Sequence, residues 1–412
     1  MTHTLIYNGT LLDGNGGAPV ANGAVLIEGN RIVGVGPLTA LAVPPEVTRI
    51  DAGGGTIMPG LIDAHVHIKM QMDDIRVTMM TPFSFHFYQS VHYLRATVNA
   101  GITAVRDAGG ADLGMKQAVD QGVVVGPRIM LSITALGITG GHGDDWLPSG
   151  GSWSTGVYPG MPDGICDGVD GVRKKAREVL RAGAEVIKVC ATGGVLSPTD
   201  HPEFTQFTIE ELEAIVQEGQ FRRGVRVMAH AQGAEGIKNA ILAGIHSIEH
   251  GIYLTDEVID LMLQYGTYLV PTLLAPVSVV EIGESKGTMP EYGVRKAKET
   301  IQIHKDSIAR AYEAGVKIAM GTDAGVMPHG TNLRELGLMY DIGMTPMEVL
   351  LATTKVAAEC MGWEDRIGTL EVGKLADVTV SRTDPLADIR SLENNDNIVL
   401  VLKDGMVVKN VL

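Results

Sequence analysis

The 412-residue sequence has little cysteine and few aromatic residues. Its three cysteines, Cys166, Cys190 and Cys360, are odd in number and far apart, which argues against a disulfide framework. Phe, Trp and Tyr together make up only 5% of the chain, whereas glycine contributes 52 residues. This composition predicts an α/β protein with a core packed from Val, Ile and Ala and with many tight loops.

The chain is also poor in positive charge and lacks a long apolar run. Thirty-three Lys and Arg against 48 Asp and Glu leave a net charge of −15, which repels nucleic-acid phosphates and acidic lipids. The most apolar run, residues 268–282, contains Pro271 and Pro276 and is too short to cross a bilayer. No signal-peptide pattern begins the chain. We therefore expect a soluble, cytoplasmic protein with no nucleic-acid or membrane partner.

The two ends of the chain resemble each other and differ from the middle. Both ends contain short β-type runs separated by turn signals, and Asp404-Gly405 is a strong two-residue hairpin turn. We predict that residues 1–57 and 372–412 together form a small β-sandwich domain. Residues 58–371 then form the second, larger domain.

In the middle of the chain, apolar strand-like runs alternate with helical patterns. The runs lie at residues 61–64, 102–105, 128–133, 185–189, 225–229, 245–248, 267–270 and 316–320. The helical patterns lie at residues 172–182, 209–220, 234–242, 256–265 and 295–314. Eight strands, most followed by a helix, over about 300 residues are typical of a (β/α)8 TIM barrel. A doubly wound sheet is the alternative, but no glycine-rich phosphate loop follows the first run.

Chemically active residues lie at the predicted strand ends, where barrel enzymes have their active sites. His65 and His67 are two residues apart at the end of the first strand, so they project to the same face. Later strands end at Lys188, His230, His250 and Asp323. Taken singly, each is readily explained as a buried or solvated polar residue. Together they predict a catalytic site for divalent ions such as Zn²⁺, which bind imidazole and carboxylate.

Lys188 is the unusual member of this set, because an ammonium group has no lone pair for a metal. Its neighbours Val186, Ile187 and Val189 are apolar, and burial among them would lower the pKa of the amine. A neutral amine can capture CO₂ to give a carbamate. That group is a bidentate anion able to bridge two metal ions.

The order of these residues resembles the amidohydrolase superfamily in its binuclear, carboxylated-lysine form. The resemblance covers nearly the whole chain, including PGLIDAHVH at 59–67 and GTLEVGKLAD at 368–377. Three segments resemble its prolidase-like (Xaa-Pro dipeptidase) branch: TGGHGD at 139–144, GGVLSPTD at 193–200 and IEHG at 248–251. The motifs are more specific for the superfamily than for the branch.

The resemblance implies two divalent metal ions, in the first instance Zn²⁺. The ligands would be His65, His67 and Asp323 for the more buried ion and His230 and His250 for the other, with carboxylated Lys188 and a hydroxide bridging the two. Asp323 would also take the proton from the attacking water and pass it to the leaving amine. His142, in the loop after the third strand, would donate to the developing oxyanion or to the substrate. The alternative for His142 is a loop histidine exposed to solvent.

Three further residues are predicted to contact substrate. Gln232 stands where relatives often carry a tyrosine that contacts the substrate carboxylate, which leaves the preferred C-terminal residue open. His329 follows the last ligand closely in sequence. Arg106 at the end of the second strand can bind a carboxylate, although pairing with Asp107 or another acid is the more ordinary interpretation. His304 lies in a helical pattern that predicts an exposed side chain.

The leading hypothesis is a metal-dependent amidohydrolase that cleaves Xaa-Pro dipeptides or N-acyl amino acids by attack of a metal-bridging hydroxide. Its partner would be a small amide substrate with a free carboxylate, and the superfamily implies a homo-oligomer. One alternative is a promiscuous hydrolase of other amides, carbamates or esters, including ochratoxin-like toxin amides. Imidazolonepropionase fits less well, because that family uses one metal and lacks the lysine of the fourth strand. A metal-free scaffold relative is the non-enzymatic alternative.

Overall fold

The computed structural model describes residues 3–72, 74–147, 149–152 and 158–412. The strands are β1 (His3–Leu11), β2 (Val20–Glu28), β3 (Arg31–Pro37), β4 (Thr48–Asp51), β5 (Thr56–Pro59), β6 (Leu61–Val66), β7 (Ile102–Asp107), β8 (Arg128–Leu131), β9 (Ala135–Leu136), β10 (Val186–Cys190), β11 (Arg226–Ala231), β12 (Ser247–His250), β13 (Tyr268–Val270), β14 (Val378–Ser381), β15 (Ile398–Lys403) and β16 (Met406–Asn410).

Helices follow most of the strands in the middle of the chain. They are α1 (Ile75–Met80), α2 (Phe83–Asn99), α3 (Leu113–Asp120), α4 (Gly168–Ala182), α5 (Ile209–Phe221), α6 (Ala234–Leu242), α7 (Asp256–Tyr265), α8 (Leu274–Lys286), α9 (Glu291–Glu313), α10 (Arg334–Asp341), α11 (Pro346–Ala352) and α12 (Lys355–Met361). Among the described residues, no helix combines the length and apolar character needed to cross a bilayer.

Strands from both ends of the chain form one eight-stranded sheet. Its order is β16-β15-β14-β5-β1-β2-β3, with β4 beside β1. The predicted hairpin is present: Lys403 pairs with Met406, and Asp404 and Gly405 between them have φ of 51° and 72°. The C-terminal strand β14 pairs with β5, which joins the two chain ends as predicted. The sandwich architecture and the domain boundaries stay predictions.

Two parallel sheets form the middle of the chain, with the orders β6-β7-β8 and β9-β10-β11-β12-β13. Every residue of β6, β7, β10 and β12 is buried, as expected for parallel strands covered on both faces. The third predicted strand, 128–133, ends early at Leu131. Ile133 has φ of 71° there, and the chain bends before β9.

The eighth predicted strand, 316–320, is not a regular strand, although its backbone lies between β13 and β6. Leu269 N donates to Lys317 O and Ala319 N donates to Leu269 O, both at 2.9 Å, and Ala64 N donates to Met320 O at 2.9 Å. The ladder toward β6 is interrupted because Met320 N donates instead to Ala352 O, at the end of α11.

The predicted helices are present, and α8 is a helix that the sequence patterns did not predict. Its segment reads as an apolar run broken by Pro276, yet this proline lies in the first turn, where its missing N–H removes no helical hydrogen bond. The buried Glu335 carboxylate of α10 accepts from Leu273 N at 2.8 Å and Leu274 N at 2.7 Å. These bonds satisfy amides at the start of α8 that have no partner within the helix.

A buried ion-pair cluster joins the parallel strands to the terminal sheet. Arg128 of β8 contacts Asp377 at 3.1 Å and Asp404 at 3.0 Å, and Asp404 N also donates to Asp377. Burial would lower the pKa of Arg128, but the two carboxylates outweigh it and raise that pKa.

We expect Arg128→Met to lower the stability of the protein by about 3–5 kcal/mol, because it leaves Asp377 buried without its cation. The melting temperature measured by calorimetry should fall accordingly. Arg177→Met is the matched control, since Arg177 pairs with Glu218 but is 57% exposed. Equal falls for the two variants would contradict a special role for the Arg128 cluster.

Candidate active site

The base of the candidate site is a buried hydrogen-bonded chain of four charged or polar side chains from three strands. His65 Nδ1 of β6 lies 2.7 Å from Glu249 Oε2 of β12. Arg106 of β7 donates to Glu249 Oε1 at 2.9 Å, and Ser247 Oγ donates to the same oxygen at 2.6 Å. Burial alone would raise the pKa of the Glu249 carboxyl, but Arg106 and His65 outweigh burial and lower that pKa to about 2. Glu249 is therefore an anion that accepts the Nδ1 proton of His65.

Three donor atoms meet above this base, at the carboxyl ends of the strands. Asp323 Oδ1 lies 3.3 Å from His65 Nε2 and 3.2 Å from His67 Nε2. His67 Nδ1 lies 2.8 Å from Gly109 O, to which it donates. One ligand atom from each of His65, His67 and Asp323 can be chosen so that all lie within 4.8 Å of one another. Among the described residues, these three form the group of His, Cys, Asp or Glu side chains whose ligand atoms lie this close together.

The protonation pattern of these residues fits a cation. Each imidazole donates its Nδ1–H to a protein acceptor, so in the neutral ring Nε2 presents a lone pair toward Asp323. Asp323 Oδ1 is buried and has no hydrogen-bond partner among the described residues. The two Nε2 lone pairs and the Asp323 oxygen then point toward one another with no proton between them. A divalent cation bound among these three atoms would accept all three as ligands.

Asp323 occupies a strained backbone position that its neighbours hold in place. Its φ is 62°, which is uncommon for a residue other than glycine. Asp323 N donates to His65 O at 2.7 Å, and the preceding Thr322 donates its hydroxyl to Asp63 at 2.7 Å. Asn332 donates to the same Asp63 oxygen at 2.8 Å. Burial raises the pKa of Asp63 to about 6, against the effect of these donors.

The other three predicted ligands lie next to this group. Lys188 Nζ is 3.4 Å from His65 Nε2, and the His250 ring lies 5.1 Å from the His65 ring and 4.7 Å from the His230 ring. His250 Nδ1 pairs with Thr272 Oγ1 at 2.6 Å, and His230 Nε2 donates to Gly193 O at 3.0 Å.

Burial controls the charge of these three groups. It lowers the pKa of His230 and His250 well below the ordinary histidine value, and it lowers the pKa of the Lys188 amine. Both imidazoles are therefore neutral, as metal ligands must be. The lowered pKa of Lys188 also agrees with the sequence-based expectation that burial favours its neutral amine.

His142 lies over the cluster. Its ring stacks on that of His230, with the centroids 4.1 Å apart and the planes 15° apart, and 24% of its side chain is exposed. His142 Nδ1 lies 2.9 Å from Ser197 Oγ. Burial is the main cause that lowers the pKa of this imidazole. His142 thus lies beside the predicted ligands and is partly exposed, and its contact with substrate stays a prediction.

The three predicted substrate contacts differ in their surroundings. Gln232 is buried directly after β11, and its Oε1 has no hydrogen-bond partner among the described residues. His329 donates to Met70 O at 2.8 Å and stacks on Tyr93. Arg106 is buried below the metal-ligand group, and its acid partner is Glu249 rather than Asp107. A role for Arg106 in substrate binding finds no support among these contacts.

One sequence expectation is wrong, and several supporting residues were not predicted. His304 is buried rather than exposed, because the ring of this α9 residue pairs with His250 O at 2.8 Å. Glu249, Thr272 and Asp63 each orient a predicted ligand or its neighbour. For Glu249, the available signal was its position directly before the predicted ligand His250, in a strand whose residues are all buried.

Comparison with known proteins identifies the family to which the chain belongs. The amidohydrolase family model matches residues 56–408, and the chain belongs to that family. The ochratoxinase of Aspergillus niger is 35% identical over 428 residues, covering 98% of this chain and 86% of the fungal protein. The solved structure of that enzyme superposes with a TM-score of 0.87, at 33% identity, covering 99% of this chain and 96% of the other.

Two other solved structures are also similar. A Xaa-Pro dipeptidase with methionine bound in its active site has a TM-score of 0.89 and 35% identity, covering 98% of this chain and 99% of the other. A prolidase in complex with N-methylphosphonate-L-proline has a TM-score of 0.91 and 35% identity, covering 99% of this chain and all of the other. The expected membership of the amidohydrolase superfamily, in its prolidase-like branch, is thus confirmed.

Glu249→Gln should weaken zinc binding by about 10- to 100-fold, because it weakens the hydrogen bond that orients His65. Competition against a chromogenic chelator measures this affinity. Glu218→Gln is the matched control, since Glu218 is a buried glutamate that pairs with Arg173 and Arg177. Unchanged zinc affinity in Glu249→Gln would contradict the proposed orientation of His65.

Proposed function

We propose that the protein is a binuclear metal-dependent amidohydrolase that cleaves the amide bond of Xaa-Pro dipeptides or N-acyl amino acids. The observation that carries the proposal is the convergence of three histidine-and-carboxylate donors within 4.8 Å, with Lys188, His230 and His250 beside them. The family membership and the similar Xaa-Pro dipeptidase and prolidase structures support it.

The proposed scaffold is a closed (β/α)8 barrel made from the two parallel sheets. On one side, the backbone of 316–320 bonds to both β13 and β6. On the other, Glu185 N donates to Leu131 O at 2.7 Å, directly before β10 and at the end of β8. Barrel closure would bring the ends of all eight strands to one face, where a barrel enzyme has its active site.

The six ligands divide into two groups in this proposal. His65, His67 and Asp323 would hold one divalent ion, His230 and His250 would hold the second, and Lys188, once carboxylated, would supply a further ligand for them. The Lys188 amine adds CO₂, forming an N–C bond and releasing one proton, and the product is a carbamate with two oxygen donors. Metal ions bound here would polarise the substrate carbonyl and activate water as the nucleophile.

The protein residues then handle the protons and orient the substrate. The Asp323 carboxylate accepts a proton from the attacking water and delivers it to the leaving amine. His142 contacts the developing oxyanion or another part of the substrate from its position over His230.

An ochratoxin-like amide is the second candidate substrate, and two observations bear on it. The Aspergillus niger ochratoxinase is similar over nearly the whole chain. Gln232 also stands where the family resemblance implies a tyrosine, and its buried Oε1 has no hydrogen-bond partner among the described residues. Imidazolonepropionase activity is less favoured, because the buried Lys188 has no function in a one-metal site. A metal-free scaffold is less favoured because all six ligands are present.

A substrate panel tests the proposal. Zinc-reconstituted protein should hydrolyse one of Xaa-Pro dipeptides, other dipeptides or N-acyl amino acids including ochratoxin A. Prior treatment with a chelator should abolish this turnover, and zinc should restore it. No hydrolysis of any member by protein that contains two equivalents of zinc would contradict the proposal.

Lys188→Ala should reduce kcat/KM on the order of 100-fold or more and lower the zinc content below two equivalents. His65→Ala should do the same, since each variant removes one ligand. Elemental analysis and turnover measure the two effects. Lys403→Ala is the control, because Lys403 is a buried lysine of the terminal sheet. Full activity of Lys188→Ala with two bound ions would exclude a bridging role for this lysine.

A further inference from the structure

We propose that Ser197 and Asp200 form a hydrogen-bond relay that positions His142, holding the proton on its Nδ1 and leaving Nε2 to face the substrate. The inference rests on the proposed function, because it assigns a task to His142 in that reaction. Ser197 bonds to His142 and Asp200 bonds to Ser197, so neither residue is assigned as a metal ligand. Both are positioning residues, and they act through His142.

The direction of the relay follows from the partners of Asp200. This carboxylate is buried, with 7% exposure, and it accepts from Gly194 N at 3.1 Å and Gln206 Nε2 at 3.2 Å. The Ser197 hydroxyl is its third donor. Because the hydroxyl has one hydrogen and gives it to Asp200, Ser197 Oγ can only accept from His142. His142 Nδ1, 2.9 Å away, must therefore carry a proton.

The loop that carries Ser197 and Asp200 is clamped from α9. Lys296 is 6% exposed, and its ammonium donates to the carbonyls of Gly194 at 3.1 Å, Ser197 at 2.9 Å and Asp200 at 2.6 Å. A lysine uses all three of its donors in this way. The clamp fixes the positions of the serine and the aspartate relative to the barrel helices. Tyr292 of the same helix adds a bond to Leu196 O at 3.3 Å.

The position of the His142 ring is also restricted sterically. One face stacks on His230 at 4.1 Å, and the Gly194 backbone lies against the ring on another side. A Cβ at Gly194 would overlap the ring, so a residue with a side chain cannot stand there without displacing His142. The ring is therefore held by a stack, by a glycine and by one hydrogen bond. Of these, the hydrogen bond selects which nitrogen is protonated.

The relay explains features of the GGVLSPTD segment that metal binding does not use. Gly194 leaves space for the His142 ring. Ser197 accepts a hydrogen bond from the ring Nδ1–H, and Asp200 orients the serine hydroxyl by accepting its hydrogen. A fixed tautomer is useful in a site where the two ring nitrogens have different partners, since a ring of the wrong tautomer presents the wrong group to substrate.

A double-mutant cycle tests the relay. Ser197→Ala should lower kcat about 10-fold or more, with little change in KM or zinc content, for the panel amide that the wild-type enzyme hydrolyses fastest. Ser197→Thr should restore most of the activity, because it keeps the hydroxyl. In a His142→Ala background, Ser197→Ala should have almost no further effect. An equal loss in that background, or failure of Ser197→Thr to rescue, would overturn the proposal.

A second measurement needs neither a substrate nor a stable variant of Ser197. Zinc-loaded protein with ¹⁵N-labelled histidine, compared with His142→Ala for assignment, reports which ring nitrogens of His142 are protonated. The relay predicts a proton on Nδ1 in the wild-type protein. A ring protonated only on Nε2 would overturn it. Because this readout is independent of turnover, an inactive substrate panel would contradict the proposed function without deciding the relay.

Discussion

The buried ion pair between Arg106 and Glu249 is the interaction on which the site depends. Removing two charges from water is costly, and the structure offsets that cost with a short contact, the Ser247 hydroxyl and the His65 ring. The pair keeps Glu249 anionic inside the sheet. An anionic Glu249 accepts a hydrogen bond from the Nδ1–H of His65, so the Nε2 lone pair of the neutral ring faces Asp323. The ion pair between Arg106 and Glu249 thus determines which nitrogen of His65 is available to a metal ion.

Backbone strain is concentrated in the same place. His250, Thr272 and Asp323 have φ of 73°, 51° and 62°, in the region that residues with a Cβ seldom occupy. Each is held by specific bonds, such as the one between His250 Nδ1 and Thr272 Oγ1 at 2.6 Å. The three residues lie at or shortly after the end of a buried strand or strand-like segment, and His250 and Asp323 both lie beside His65. The cost of this strain is offset by the packed sheet beneath them.

The sequence predicted which candidate ligands lie close together better than it predicted the residues that orient them. His65, His67 and Asp323 were predictable because each lies where an apolar run ends, and the structure brings their donor atoms together. Glu249 and Asp200 act through contacts with residues far away or in another loop, and no local pattern carries that information. Residues 316–320 are a second example, because Met320 N donates to Ala352 O instead of to a neighbouring strand. His304 is a third, because its buried ring pairs with the backbone carbonyl of the distant His250.

The most direct test of this account is a crystal structure of the zinc-loaded protein with anomalous scattering measured at the zinc edge. The account predicts two anomalous peaks, one among His65, His67 and Asp323 and one beside His230 and His250. It also predicts density for a carboxyl group on Lys188 between them. A single peak with an unmodified Lys188 amine, or zinc bound away from these residues, would contradict the two-metal site.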